Sequence, residues 1–343
     1  MTPILVRALR REPVERTPVW YMRQAGRCLA EYRELRERYG ILEMARNPEL
    51  SARVTAMPVA RLGVDAAVLY ADIMLPLDGM GVPFRIEPEV GPIVGAPVRD
   101  RAAVDALRVI PAEEATPYLF ETIRALRRSL APDIALIGFC GGPFTLASYL
   151  IEGRPSRDYA RTKAMLLGEP DLWRSLMFKL VEILSRYLRA QIDAGVDAVQ
   201  VFDSWAGVLG TEDYRRSVLP HTRRLFAAVG DRVPRIHFAT GNPALLPLVA
   251  SMECEAVSVD WRIPLDDAWR AIGDRAIQGN LEPAVCLAPW DVVADRVEDV
   301  LRRAAGRPGH VFNLGHGVLP STEADVLARL SDHVREATAG VAA

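Results

Sequence analysis

The chain has 343 residues and a formal net charge of −2, long enough to bury a barrel-sized core and far from the charge of a generally basic nucleic-acid binder. No apolar run approaches the length of a membrane span, and residues 1–16 carry an apolar patch too short for a signal peptide and quickly interrupted by charge, so a cytoplasmic protein is expected. The four cysteines, Cys28, Cys140, Cys254 and Cys286, include no C-x-x-C pair, which fits reduced thiols better than a disulfide frame or a clustered metal site.

In chain order, the first apolar run of strand length is 19–22, Val-Trp-Tyr-Met, and it leads straight into a short turn holding Arg23 and Arg27. Guanidinium groups are charged at any working pH and offer forked donors that match a carboxylate edge, so this turn points to a polyanionic small molecule; a solvated helix start with surface arginines is the alternative. The second strand is expected at 66–70, just before Asp72. Residues 83–97 then alternate around Gly and Pro, which predicts an extended hairpin of edge character rather than a second domain. Helical segments at 101–107 and 113–130 lead to a third strand at 134–139. Lys163 and Lys179 are the only lysines and lie in helix-like surroundings, leaving little room for Schiff-base or pyridoxal phosphate chemistry.

Between 171 and 194, Leu172, Leu176, Leu180, Ile183, Leu184, Tyr187, Leu188 and Ile192 recur at three- and four-residue steps, and Gly195 ends the helix. Further strands are expected at 198–202, 235–239, 256–259, 276–279 and 311–314, and residues 336–343, small and unpatterned, are expected to fray. About eight strands separated by helices predict a (β/α)8 TIM-type barrel made by 1–343 as a single domain. The segments 63–72 and 195–203 echo each other, from helix-stop glycine through strand to a terminal acid, though such units equally suit a doubly wound open sheet.

A parallel barrel builds its site on the loops after the strands. There the sequence places Arg23, Gln24 and Arg27, then Asp72, Cys140 to Thr145, Asp203 and Ser204, Thr240 to Asn242, Asp260, Asn280, and His316 between two glycines. Such a set of charged and polar groups at one end of the strands favours a site over chance loop polarity. For Asp72 alone, a helix N-cap after the strand is the competing reading.

The segments 22–27 (Met-Arg-Gln-Ala-Gly-Arg), 138–153 (Gly-Phe-Cys-Gly-Gly-Pro-Phe-Thr-Leu-Ala-Ser-Tyr-Leu-Ile-Glu-Gly), 202–207 (Phe-Asp-Ser-Trp-Ala-Gly) and 313–317 (Asn-Leu-Gly-His-Gly) resemble, in order and across nearly the whole chain, the uroporphyrinogen decarboxylases. The resemblance implies a barrel, usually a homodimer, that converts the four acetate side chains of uroporphyrinogen to methyls in haem synthesis without metal or organic cofactor; from the charge and the lack of a membrane-length run, no nucleic-acid or membrane partner is expected. By the same resemblance Arg23 and Arg27 bind substrate carboxylates, with Gln24, Ala25 and Gly26 as the loop between them. Asp72 faces the pyrrole nitrogens, Tyr149 and Ser204 touch substrate, Phe202 walls the pocket and His316 lies on the propionate side. Asp72, Arg23 and Tyr149 are then the expected catalytic set. Departures from the family pattern are Cys28 and Ala30, where Tyr and Pro are more usual, and Cys140 and Gly142, where Ser and Ala are frequent; no charged position is lost.

The chemistry suits these residues. Losing carbon dioxide from an acetate on a pyrrole needs an electron sink, which protonation of the adjacent ring carbon creates as an iminium-like cation, and a carboxylate at Asp72 would stabilise it. Arginine is a poor proton donor at its ordinary pKa, His316 titrates in the useful range, and Tyr149 is either a donor or a helix-face aromatic. Two rivals remain. Zinc-dependent methyltransferases of the same fold group carry a His-x-Cys, where this chain reads His237-Phe238-Ala239 and lacks the thiolate, although Cys254 and Cys286 are present. A non-catalytic tetrapyrrole carrier would keep the arginines and have no use for Asp72.

Overall fold

Strands buried on both faces read as continuous apolar runs, and in the computed structural model, which describes residues 1–88 and 90–340, those runs form parallel β-structure. The strands are β1 (Ala66–Val68), β2 (Phe84–Glu87), β3 (Gly91–Val94), β4 (Ala135–Gly141), β5 (Ala198–Asp203), β6 (Arg235–Ala239), β7 (Ala256–Ser258), β8 (Ala276–Gln278) and β9 (His310–Val311). Seven of them make one curled parallel sheet in the order β1-β4-β5-β6-β7-β8-β9. β2 and β3 pair antiparallel, Phe84 opposite Val94, as the hairpin expected between the second and third barrel strands.

The expected first strand is reduced to a bridge, Val19 to Phe312. Its backbone nevertheless bonds to both edges of the sheet: Trp20 N–H donates to Phe312 C=O at 3.3 Å, Phe312 N–H to Pro18 C=O at 2.9 Å, and Asp65 N–H to Val19 C=O at 2.8 Å. The segment therefore occupies the eighth position and closes the barrel. It does not extend to Met22 because Asn313 takes the Met22 N–H with its side chain, 3.1 Å away. Inside the barrel Trp20 Nε1 donates to Gln278 Oε1 (3.0 Å), whose amide donates to Gln200 Oε1 (3.1 Å) and Ser258 Oγ (2.9 Å).

The helix Pro170–Ala194 buries every apolar residue named for its stripe and ends at Gly195 with φ 116°, a left-handed conformation that favours glycine. Burial of each large aliphatic side chain stabilises by about 1.5–3 kcal/mol. The helix expected over 113–130 is broken into Ala112–Ala115 and Pro117–Ser129; Pro117 starts the second piece and steers Thr116 out of helical geometry. The last helix, Ala324–Thr338, enters the segment expected to fray, and its buried Thr338 hydroxyl accepts the Thr17 N–H at 3.0 Å. Residues 341–343 of that tail lie outside the described residues. No helix among the described residues is long and apolar enough to cross a membrane.

Candidate active site

The turn after the closing segment is fixed from both ends of the chain. Gln24 is buried, its Oε1 accepting the Tyr21 N–H (2.9 Å) and its amide donating to Ala66 C=O (2.8 Å). Val318 N–H donates to Met22 C=O at 2.8 Å. These bonds leave Arg23 in the left-handed region at φ 61°, an uncommon conformation for a side chain of this size that the surrounding bonds must hold. A Cβ built on Gly317 would sit 2.5 Å from Arg23 Cδ, so the bare glycine gives the arginine stem its bed.

Arg23 and Arg27 are both exposed, and neither has a carboxylate partner among the described residues. Ala25 and Gly26 are half-buried between them. Gln24, by contrast, turns its amide away from solvent and serves the backbone. Sequence spacing could place Gln24 in the loop, but could not show that its side chain is already occupied.

Asp72 lies half-buried beyond β1, where its Oδ1 accepts the Met74 N–H at 2.9 Å. It is not a helix N-cap: the next helix, Pro76–Gly79, begins after Leu75. Burial raises the Asp72 pKa above the usual carboxylate value, while the Met74 N–H and the Arg23 charge pull it back. The buried Tyr149 hydroxyl is likewise held above its ordinary value by burial and then by the Asp72 charge, against the pull of Arg23, so it keeps its proton. Arg23, Asp72 and Tyr149 are thus brought within electrostatic reach of one another from the turn after the closing segment, the loop after β1 and the helix after β4.

Around them the walls are aromatic. The Tyr149 ring lies 4.1 Å from Trp205, which also meets Tyr159 at 5.1 Å. Phe202 sits edge-on to Phe139 (5.4 Å) and Phe238 (5.7 Å), and Phe238 meets His316 at 5.9 Å. Ser204 is half-buried between Asp203 and Trp205, with its C=O accepting the Thr240 hydroxyl at 3.0 Å. The Trp205 and Tyr159 walls were absent from the sequence-derived set, since a Trp and a Tyr separated by more than forty residues give no periodic signal.

The His316 expectation changes. Burial, then the charges of Arg23 and Arg262, push its pKa down to about 4, so at neutral pH the ring is uncharged and acts as a neutral hydrogen-bonding group. Asp203 was expected only as a polar strand end. It is fully buried, with Oδ1 accepting both the backbone N–H (3.1 Å) and the hydroxyl (2.8 Å) of Thr145, and burial raises its pKa to about 6. It therefore ties β5 to the first turn of the helix Pro143–Glu152, which carries Tyr149.

Among the described residues no three His, Cys, Asp or Glu side chains converge as metal ligands. His237 is buried with neither ring nitrogen partnered among the described residues and packs 5.5 Å from Phe226 on a helix, where burial lowers its pKa to about 3. Lys179 spends its ammonium on the carbonyls of Val104, Asp105 and Leu107.

The family profile described as "Uroporphyrinogen decarboxylase (URO-D)" matches residues 2–337. A uroporphyrinogen decarboxylase of Thermobifida fusca is 52% identical over 336 residues, covering 97% of this chain and 92% of that protein. One from Carboxydothermus hydrogenoformans is 48% identical and covers 98% and 97%. Among solved structures, a methyltransferase from Methanosarcina mazei superposes with a TM-score of 0.81 at 23% identity, over 97% of each chain. At that identity the likeness concerns the fold alone.

Proposed function

The chain belongs to the uroporphyrinogen decarboxylase family, and from that premise we propose how its own residues carry out the reaction. The enzyme decarboxylates uroporphyrinogen in haem and porphyrin biosynthesis. In our reading it does so at all four acetates of the III isomer, yielding coproporphyrinogen III without metal or organic cofactor.

What supports the reading is that the Arg23 charge acts on Asp72 and that both charges act on the Tyr149 hydroxyl, with Arg23 and Asp72 in the loops that follow the closing segment and β1. Each cycle adds a proton to the ring carbon adjacent to the one that bears the acetate. The resulting cation draws the electrons of the breaking carbon–carboxylate bond and carbon dioxide leaves; a proton then adds to the exocyclic methylene, and the first proton departs from the ring carbon, so the pyrrole is restored, the methyl group is complete and one proton is consumed per acetate. Asp72 accepts the pyrrole N–H bonds and stabilises the cation; Arg23 and Arg27 hold carboxylates; the protonated Tyr149 hydroxyl donates a hydrogen bond to the reacting side chain. Gln24 shapes the loop from beneath, with Ala25 and Gly26 lining it. Phe202 walls the macrocycle, and Ser204 and neutral His316 supply hydrogen bonds to its periphery.

Residues 1–343 act as one barrel domain, working as a homodimer in the cytoplasm with no nucleic-acid or membrane partner. The test is an anaerobic assay with chemically reduced uroporphyrinogen III and products separated by carboxyl number. Successive appearance of seven-, six-, five- and four-carboxyl products supports the reading; binding without any loss of carboxyl groups would leave a carrier. Light scattering at twice the chain mass tests the dimer.

A further inference from the structure

Beyond the loop arginines, one more guanidinium is built into the mouth of the barrel. Arg262 follows β7, where its backbone is pinned on both sides by Asn280, whose amide donates to Asp260 C=O (2.9 Å) and Ile263 C=O (2.8 Å). Its Nη1 donates to Asp260 Oδ2 at 2.7 Å, and its guanidinium carbon lies 4.4 Å from the centre of the Trp261 ring. Asp260 is itself anchored, accepting the N–H of Gly241 at 2.7 Å and of Arg262 at 2.9 Å. The last barrel loop closes in from the other side: a Cβ on Gly315 would lie 2.7 Å from Trp261 N.

A solvated arginine held only for charge balance needs none of this scaffolding. Here the Asp260 side chain is 4% exposed while that of Arg262 remains 49% exposed. Nε and Nη2 have no protein partner among the described residues, so one side of the fork is free and its direction is set. Such pre-organisation lowers the entropy lost when an anion docks.

Around the barrel, β7 is four positions from β1 by either route, counting the closing segment. Arg262 therefore stands across the mouth from Asp72, on the side where its charge also reaches His316. The geometry points to Arg262 as a further substrate-binding residue that grips a peripheral carboxylate of the macrocycle remote from the reacting acetate, and so fixes which side chain is presented to Asp72. The role rests on the proposed decarboxylation, and its test separates the two.

Arg262→Ala should raise KM for uroporphyrinogen about tenfold with kcat within twofold of wild type, because the lost bond is made equally in ground and transition states. Arg262→Lys, which keeps the charge and the Asp260 pair but not the fork, should raise KM about threefold. Fluorescence titration with oxidised, unreactive uroporphyrin should show the same order of affinities. An Arg262→Ala protein with wild-type melting temperature and wild-type KM and porphyrin affinity overturns the assignment. If Ala does not fold, a Lys variant indistinguishable from wild type in both measurements overturns it equally. Absence of turnover in the wild type sinks the decarboxylation reading, while the porphyrin titration still judges Arg262.

Discussion

Replacing Asp72 with Asn separates its charge from its local structural bond. Among the described residues the side chain's single protein hydrogen bond runs from Met74 N–H to Oδ1 at 2.9 Å, and an amide oxygen can accept it equally well. What Asn removes is the negative charge opposite the forming cation. At about 4 Å and an effective dielectric of about 20, that attraction is worth about 4 kcal/mol, or roughly a thousandfold in rate. Turnover of Asp72→Asn, followed anaerobically by the appearance of the seven-carboxyl product, should fall by about that factor while the melting temperature hardly moves. Asp72→Ala should lose the rate and also about 1 kcal/mol of stability, from the unpaired Met74 N–H. A near wild-type rate in the Asn variant refutes the electrostatic role, and a rate loss matched by a large fall in melting temperature would assign the residue to structure.

Gly317→Ala should lower kcat/KM by at least tenfold with a modest change in stability, because the new methyl displaces the Arg23 stem that now lies against the glycine; steady-state kinetics and calorimetry check both. His316 should titrate near 4 in the free protein, and its NMR titration should move upward when uroporphyrin supplies a carboxylate beside it. Asp203 holds a pKa of about 6, against 3.8 for the free side chain, so its ionisation opposes folding: the folded state gains relative stability as pH falls from about 6 towards 4 and loses it as pH rises through 6. Asp203→Asn keeps the acceptor for Thr145 and should raise the unfolding free energy at pH 7.5, read by denaturant titration, by an amount on the order of 3 kcal/mol or less, with no gain at pH 4. Protein dialysed against a strong chelator should keep its activity, and a loss restored by zinc would favour chemistry of the methyltransferase kind.

The barrel was legible because its strands are buried on both faces and stand out as short β-branched runs, such as Ala198–Asp203, between helices with an unmistakable stripe. The run at 19–22 marked the segment that closes the ring but is longer than the bridge it forms. Trp20, Tyr21 and Met22 are apolar because they are buried, yet Tyr21 serves the last helix, its hydroxyl 2.9 Å from Ser331 Oγ. Strand ends disclosed Arg23, Asp72 and His316. They could not disclose that the Gln24 amide is spent on Ala66 C=O, or that His316 is neutral, since both depend on neighbours far away in sequence. Arg262 lay in plain view after the sixth predicted strand, but an arginine beside Asp and Trp reads as surface until Asn280 is seen holding the loop on either side.

The way the ring of strands is fastened sets how the catalytic loop can fail. The fastening rests on Asp65, whose carboxylate takes the Val19 N–H at 2.8 Å and both arms of Arg16, at 2.8 and 2.6 Å. Pro18 to Trp20 supply one backbone thickness between the two outer strands, and Arg23 follows only three residues later. Loss of that seam would release the arginine turn before the helices around it lose their packing. Amide hydrogen exchange should accordingly find Trp20 and Phe312 trading protons through a smaller opening than the core of β4 and β5, and substrate, by engaging Arg23, should slow exchange at the seam more than anywhere else in the ring.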